Sequence, residues 1–431
     1  MIRTVAGLLA GLAVLAATPA TPTSVGNGPA PVLRQPVECV PPRGDRAAAD
    51  QAVTERLRLA EVHTLATGRG QLVAVIDTGV APHPRLAGRV VGGGDFLGEG
   101  DGLEDCDGHG TAVAGILAAA PGPDGVVGMA PGARVLAIRQ FSGVLSGSGR
   151  AGDPDTLAAA IVSAVRAGAT VINISGAACV TPEQARTAGR ELASALRFAA
   201  GSDVVVVAAA GNVGVGGCDR PGIVPLPAWY DTEVLTVGAV EQAHRPAAFS
   251  LPGPWVDVAA PGVGLRSLAV GGGTTSAGVE GTSFAAAWVA GLAALVRERF
   301  PRLTAEQVVD RIVATARPMV GREQEVGHGV IDPLAALTAA PTVLTPAGAT
   351  PRARLAGTDP VDAPPGPPRW PALAVVLLLA VAGVAAARLR NHPGRAPVVD
   401  TVPPRPPDRV LTVDDVHHVH RVRQVQRGPG R

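Results

Sequence analysis

Four short segments carry residue types suited to attack on an amide. Asp77 closes the apolar run Val73-Ala74-Val75-Ile76 and is followed by Thr78-Gly79. Alone it reads as a turn or helix-capping aspartate, or as a carboxylate held at the end of a strand. His109 stands between Gly108 and Gly110, where the lack of side chains on either side lets backbone pass close to another group. Ser283, in Gly281-Thr282-Ser283-Phe284, opens an Ala-rich stretch. A serine at a helix start is commonly a cap, but the positive end of a helix also favours a nucleophile that develops negative charge. Asn212 ends Ala208-Ala209-Ala210-Gly211-Asn212, as a turn residue or as an amide donor to an oxyanion. A serine hydroxyl is a poor nucleophile at neutral pH. It needs a base to take its proton, a carboxylate to orient that base, and donors for the charge that forms on the carbonyl oxygen. The four segments supply one of each.

These residues lie far apart in the chain, so a scaffold must gather them. Short apolar runs at 72–76, 134–138, 170–174, 204–209 and 234–237 read as buried strands. Ala-rich stretches at 111–120, 155–167, 182–200 and 283–300 read as helices between them. Fully apolar strands alternating with helices predict an α/β fold: a three-layer parallel sheet with helices on both faces. Ligands of such sheets gather beyond the carboxyl ends of the strands. Asp77 and Asn212 both follow strand ends.

The order Asp, His, Ser is one of the chain orders in which triads of this kind occur. The segments VIDTGV, GHGTAVAGI, AAAGN and GTSFAAAWVAG resemble the signature segments of the subtilisin-like serine proteases, over about residues 70–335. The resemblance implies that Ser283 attacks the scissile carbonyl and that His109 takes its proton and returns it to the leaving amine. Asp77 would hold the imidazole in the useful tautomer, and the Asn212 amide and the Ser283 N–H would bind the oxyanion. Two further stretches, Ser146-Gly147-Ser148-Gly149 and Ser175-Gly176, resemble the edges with which that family pairs an extended peptide substrate. The sequence departs from the family at Ala287 and Trp288, where most relatives have Pro and then His. Proline in a first helical turn is permitted rather than required, so catalysis does not hang on it.

Composition limits the rest. The chain has 431 residues, 47% hydrophobic and 17% charged, too apolar for a disordered protein. A net charge of +1 gives no general attraction to nucleic acid. Residues 1–20 have the parts of a secretory signal peptide: one early Arg, a short apolar run and small residues after it. Residues 21–69 form an N-terminal extension, 70–340 the protease domain, and 341–369, with eight prolines, a stalk. Residues 370–388 are long and apolar enough for one transmembrane helix. Arg388, Arg390 and Arg395 beyond it predict a cytoplasmic tail over 389–431, Pro- and Arg-rich and disordered. Export permits disulfides, and Cys39, Cys106, Cys179 and Cys218 allow three pairings. Cys39–Cys106 with Cys179–Cys218 is favoured. The first would keep the extension attached beside the cleft, and the second would join segments that follow neighbouring strand ends. No cofactor and no metal site is expected. The acidic segment 95–107 reads as a solvated loop, and His417, His418 and His420 as a solvated cluster. Signal peptide, short extension, two bridges, protease core, stalk and one span together resemble the mycosins, membrane-anchored proteases of actinobacterial type VII secretion systems. That architecture implies a protein or peptide substrate, a membrane contact through one C-terminal helix, and the secretion system's membrane components as partners.

Overall fold

The computed structural model describes residues 52–144, 152–230, 232–241 and 244–340. The signal peptide, Cys39, the stretch Ser146 to Gly149, the stalk, the apolar segment 370–388 and the tail lie outside them. No helix of the described residues is long and apolar enough to cross a membrane.

Seven strands form one parallel sheet: β1 (Leu72–Asp77), β2 (Val90–Asp95), β3 (Arg134–Arg139), β4 (Val171–Ile174), β6 (Val205–Ala209), β8 (Leu235–Val240) and β9 (Val258–Pro261). Two short strands, β5 (Ala178–Val180) and β7 (Val224–Leu226), pair antiparallel outside it. The large sheet runs β2-β3-β1-β4-β6-β8-β9. From β1 the chain first builds one side of the sheet and then the other, so its order reverses between β1 and β4. The crevice at such a reversal is where open α/β sheets bind ligands.

Alternation along the strands assigns the faces. Val73 and Val75 join Val135, Ala137, Val171, Val207 and Val237 in the larger core cluster. Ala74, Ile76, Leu136, Ile138, Ile172 and Ile174 join the opposite one. The first face is covered by α3 (His109–Ala118) and α7 (Thr282–Arg299). The second is covered by α4 (Pro154–Arg166) and α6 (Arg190–Gly201). Residues 282–296 of α7 are all buried, as expected of a helix that is apolar on every side. Near its far end Glu298 accepts three successive amide protons, from Thr67, Gly68 and Arg69, at 2.6, 2.5 and 2.9 Å. That carboxylate fixes the turn through which the chain enters β1.

Several elements depart from the sequence reading in their limits. The expected helix over 182–200 is two, α5 (Pro182–Ala188) and α6, separated at Gly189, where the single Tyr230 hydroxyl proton is shared between the carbonyls of Ala185 and Gly189, each 2.9 Å away. Strands β2 and β9 escaped it: β2 carries three glycines, and β9, Val258-Ala259-Ala260-Pro261, has two alanines and a proline in place of a β-branched run. The extension ends in two helices, α1 (Ala52–Arg56) and α2 (Leu59–Leu65), whose Val53, Leu59 and Val62 are buried in the larger cluster. Helices α8 (Ala305–Ala314), α9 (Glu323–Val326) and α10 (Pro333–Thr338) complete the described chain.

Candidate active site

Asp77 is the last residue of β1 and is fully buried. It shares the parity of Val73 and Val75, so it lies on the face covered by α3 and α7. His109 is the first residue of α3, and its Nδ1 stands 2.6 Å from Asp77 Oδ1. The same oxygen accepts the backbone N–H of Thr78 at 2.7 Å. An imidazole whose Nδ1–H is held by a carboxylate presents Nε2 as the basic nitrogen. Helix α3 comes this close because Gly110 has no side chain: a Cβ there would sit 1.9 Å from the Gly79 carbonyl oxygen.

Burial pushes the His109 pKa down, while the Asp77 charge, its hydrogen bond, and the charges of Asp105 and Asp107 push it up. The carboxylates prevail and the pKa is raised. The ring lies between two aromatic side chains, Phe284 of α7 at 5.1 Å and Phe141 at 6.0 Å between centroids.

Ser283 is the second residue of α7 and is buried. It does not cap its helix. Gly281 holds the cap position with no side-chain bond, and the Ser283 hydroxyl donates to the Ser175 carbonyl at 3.0 Å. At rest the nucleophile candidate is therefore turned toward the end of β4. Asn212 follows β6 and accepts from the backbone N–H of Thr282 at 3.1 Å and its hydroxyl at 2.9 Å, both at Oδ1. Those two donors fix which way the amide faces and leave Nδ2 as its donor. A Cβ on Gly281 would lie 3.5 Å from that nitrogen, so the amide stands over the α7 N-terminus, where unpaired N–H groups and the helix dipole favour an anion.

Ser175 and Gly176 follow β4, beside Asp77 across the sheet reversal. The Phe141 ring lies against Gly176, where a Cβ would be 2.9 Å from it. A disulfide joins Cys179 and Cys218 with a Cα separation of 5.0 Å, tying β5 to the loop after Asn212. Cys106 is also disulfide-bonded, and its expected pairing with Cys39 lies outside the described residues. In the acidic segment 95–107, Asp95 and Glu104 pair with Arg139, while Asp107 accepts from Ser142 Oγ and the amides of Gly143 and Val144. Among the described residues no group of three or more His, Cys, Asp or Glu is arranged to hold a metal ion.

Sequence reasoning missed Thr78, Asp105, Thr282 and the two phenylalanines. Thr78, Thr282 and Phe284 lie within the quoted segments. Asp105 lies in the acidic stretch 95–107, which reads as solvated, yet is itself buried, and Phe141 lies just beyond the apolar run 134–138. Nothing in a linear pattern separates a side chain that braces a site from one that merely neighbours it.

The model of the Subtilase family matches residues 68–329, more than half of the chain. The chain belongs to the subtilases. Its relatives within that family include mycosins. The subtilase is 44% identical to Mycosin-4 of Mycobacterium tuberculosis over 373 residues, spanning 78% of this chain and 81% of that one. It is 40% identical to Mycosin-3 of the same organism, spanning 87% and 92%. Among solved structures it resembles the MycP3 protease from the type VII (ESX-3) secretion system, with a TM-score of 0.62 and 41% identity over 70% of this chain and 91% of that one. It also resembles a chain of the intact ESX-5 inner membrane complex, with a TM-score of 0.62 and 34% identity over 82% and 96%. The subtilase is a serine endopeptidase.

Proposed function

We propose that this protease cuts peptide bonds through Asp77, His109 and Ser283. The observation that carries the reading is the 2.6 Å contact between His109 Nδ1 and buried Asp77, made on the sheet face from which α7 presents Ser283. An extended peptide would lie along the ends of β4 and β3, pairing with Ser175 and Gly176 and, outside the described residues, with Ser146 to Gly149. The Ser283 hydroxyl turns from the Ser175 carbonyl to His109 Nε2. Its oxygen attacks the scissile carbonyl carbon as the proton passes to the imidazole. The oxyanion is met by Asn212 Nδ2 and the Ser283 N–H. Collapse expels the amine, which takes the proton from His109, and water then hydrolyses the acyl-enzyme by the same steps.

The cellular setting is part of the same proposal. Residues 1–20 serve as an export signal, residues 370–388 anchor the chain, and the protease domain lies outside the cytoplasm. Cys39 bonds to Cys106 and keeps the extension attached. The substrates belong to a type VII secretion system, whose membrane complex the protein supports. The likeness to mycosins and to a chain of the ESX-5 inner membrane complex supports this. That last likeness also favours a second reading, in which the main role is structural and catalysis is dispensable. Deletion of the protein and its Ser283→Ala variant separate the two. Secretion lost in both strains supports the protease; secretion lost only on deletion supports the scaffold. A wild-type protein that a fluorophosphonate does not label would end the catalytic reading.

A further inference from the structure

A second buried carboxylate, Asp105, stands behind the Asp77–His109 pair, only 2% exposed. Oδ1 accepts from the Thr78 hydroxyl at 2.7 Å and from the Gly108 N–H at 2.8 Å. Oδ2 accepts from the Thr111 N–H at 2.8 Å and from the Thr111 hydroxyl at 2.6 Å. The donors come from two places: the residue after Asp77, and the two flanks of His109. Thr78 Oγ1 in turn accepts the Gly110 N–H at 2.9 Å, and Thr111 Oγ1 accepts the Ala81 N–H at 2.9 Å. The first turn of α3 and the segment leaving β1 are thus laced together through one side chain.

Four donors on two oxygens suit an ionised group, which only accepts. A hydroxyl has one proton, and Thr78 is 2.7 Å from Asp105 but 3.3 Å from Asp77 Oδ1. Asp105 therefore draws that proton away from Asp77, leaving Asp77 to the Thr78 amide and the imidazole.

We infer that Asp105 is a positioning residue for the triad: it sets where His109 stands against Asp77, and it reserves Asp77 for the imidazole. The inference rests on the triad reading above. Around His109 the charged groups are Asp77 from β1 and Asp105 and Asp107 from the segment before α3, with the rings of Phe141 and Phe284 on its flanks. The cation on the neighbouring strand, Arg139, is paired with Asp95 and Glu104. Asp105 itself is pushed up by burial, pulled down by its bonds to Thr111 and Thr78, and pushed up by the Asp77 charge, with a net rise.

Replacing Asp105 by Asn removes one of three negative charges that favour the imidazolium and frees the Thr78 proton to turn to Asp77. Both changes make His109 less basic. The acid limb of a pH–rate profile reports the essential base of the free enzyme, so it moves to lower pH. A purely structural role would slow the reaction without moving that limb.

The test is fluorophosphonate labelling of the full-length protein as a function of pH, read as kinact and KI. Asp105→Asn is expected to lower kinact by about tenfold to a hundredfold, the range for a small misplacement in an active site, with KI within about twofold. Its acid limb shifts downward. Thr78→Val is expected to lose a similar factor, and Thr78→Ser, which restores the hydroxyl, to recover it. Wild-type labelling by Asp105→Asn, or slow labelling with an unmoved acid limb, overturns the inference. Should Asp105→Asn not fold, the threonine pair decides: wild-type labelling by Thr78→Val, or no rescue by Thr78→Ser, overturns it. Ser283→Ala runs alongside, because label on that variant would sink the triad itself, independently of Asp105.

Discussion

At the scale of single residues the site is a set of directions imposed on protons. Asn212 illustrates this best. Its Oδ1 is occupied by the two Thr282 donors, so the amide has only its nitrogen to offer. Asn212→Ala is expected to lower kcat by about a hundredfold to a thousandfold, the usual cost of one oxyanion donor, with little change in KM. A wild-type kcat on any cleaved peptide would remove Asn212 from the mechanism. His109 makes a pH prediction. Its raised pKa means that the imidazole is still protonated at a pH where an ordinary histidine is neutral, and a protonated imidazole is no base. Activity should therefore fall away on acidification at a higher pH than an unperturbed histidine would give, as a profile of kcat/KM against pH would record.

Elements hold those residues at their distances, and two contacts show how narrow the tolerance is. The first turn of α3 lies so close to the turn after β1 that Gly110→Ala would drive its methyl group into the Gly79 carbonyl. Such overpacking costs about 1–3 kcal/mol or more. Here it would also part His109 from Asp77, so thermal unfolding should drop and labelling of Ser283 should be lost together. The Cys179–Cys218 bridge spans 39 residues of sequence and ends in the loop that follows Asn212. The chain-entropy model gives about 4 kcal/mol for a loop of that length. The Cys179→Ser, Cys218→Ser double variant should lose a large part of that in denaturant titrations, and its kcat should fall as the loop beside Asn212 loosens. Unchanged stability would mean that the small β5–β7 pair holds the loop unaided.

The whole molecule sets where the reading of parts must be joined. Residues before the first sheet strand look in the sequence like an appendage, yet Val53, Leu57, Leu59 and Val62 are buried in the same cluster as α3 and α7. Burying each such side chain contributes roughly 1.5–3 kcal/mol, against a typical net stability of about 5–15 kcal/mol for a domain. A chain that begins at Thr67 should accordingly fail to fold or melt well below the longer one, measured by circular dichroism. If its melting point matched that of the longer chain, the two helices would be passengers on the core. The sheet reversal between β1 and β4 is the other whole-molecule feature. It brings Asp77 and Ser175 to one crevice, although nearly a hundred residues separate them.

The candidate residues were legible without a structure. Asp77 at a strand end, His109 between glycines, Ser283 at a helix start and Asn212 after a strand could each be found because a strand, a turn or a helix start leaves a short-range pattern. The same holds for five of the seven sheet strands and for the Cys179–Cys218 pairing, which follows from strand ends near one another. The strands β2 and β9 were hidden because three glycines in one, and two alanines and a proline in the other, erase the strongly apolar, β-branched pattern. What only the tertiary structure decided was everything that depends on distance between remote segments. It turned the Ser283 hydroxyl to Ser175, packed Phe141 and Phe284 against His109, and made Asp105 the tie between two turns. An aspartate two residues from another aspartate carries no mark of which one will be buried. Burial and hydrogen bonding are properties of what surrounds a group, and those surroundings come from chain segments far away in sequence.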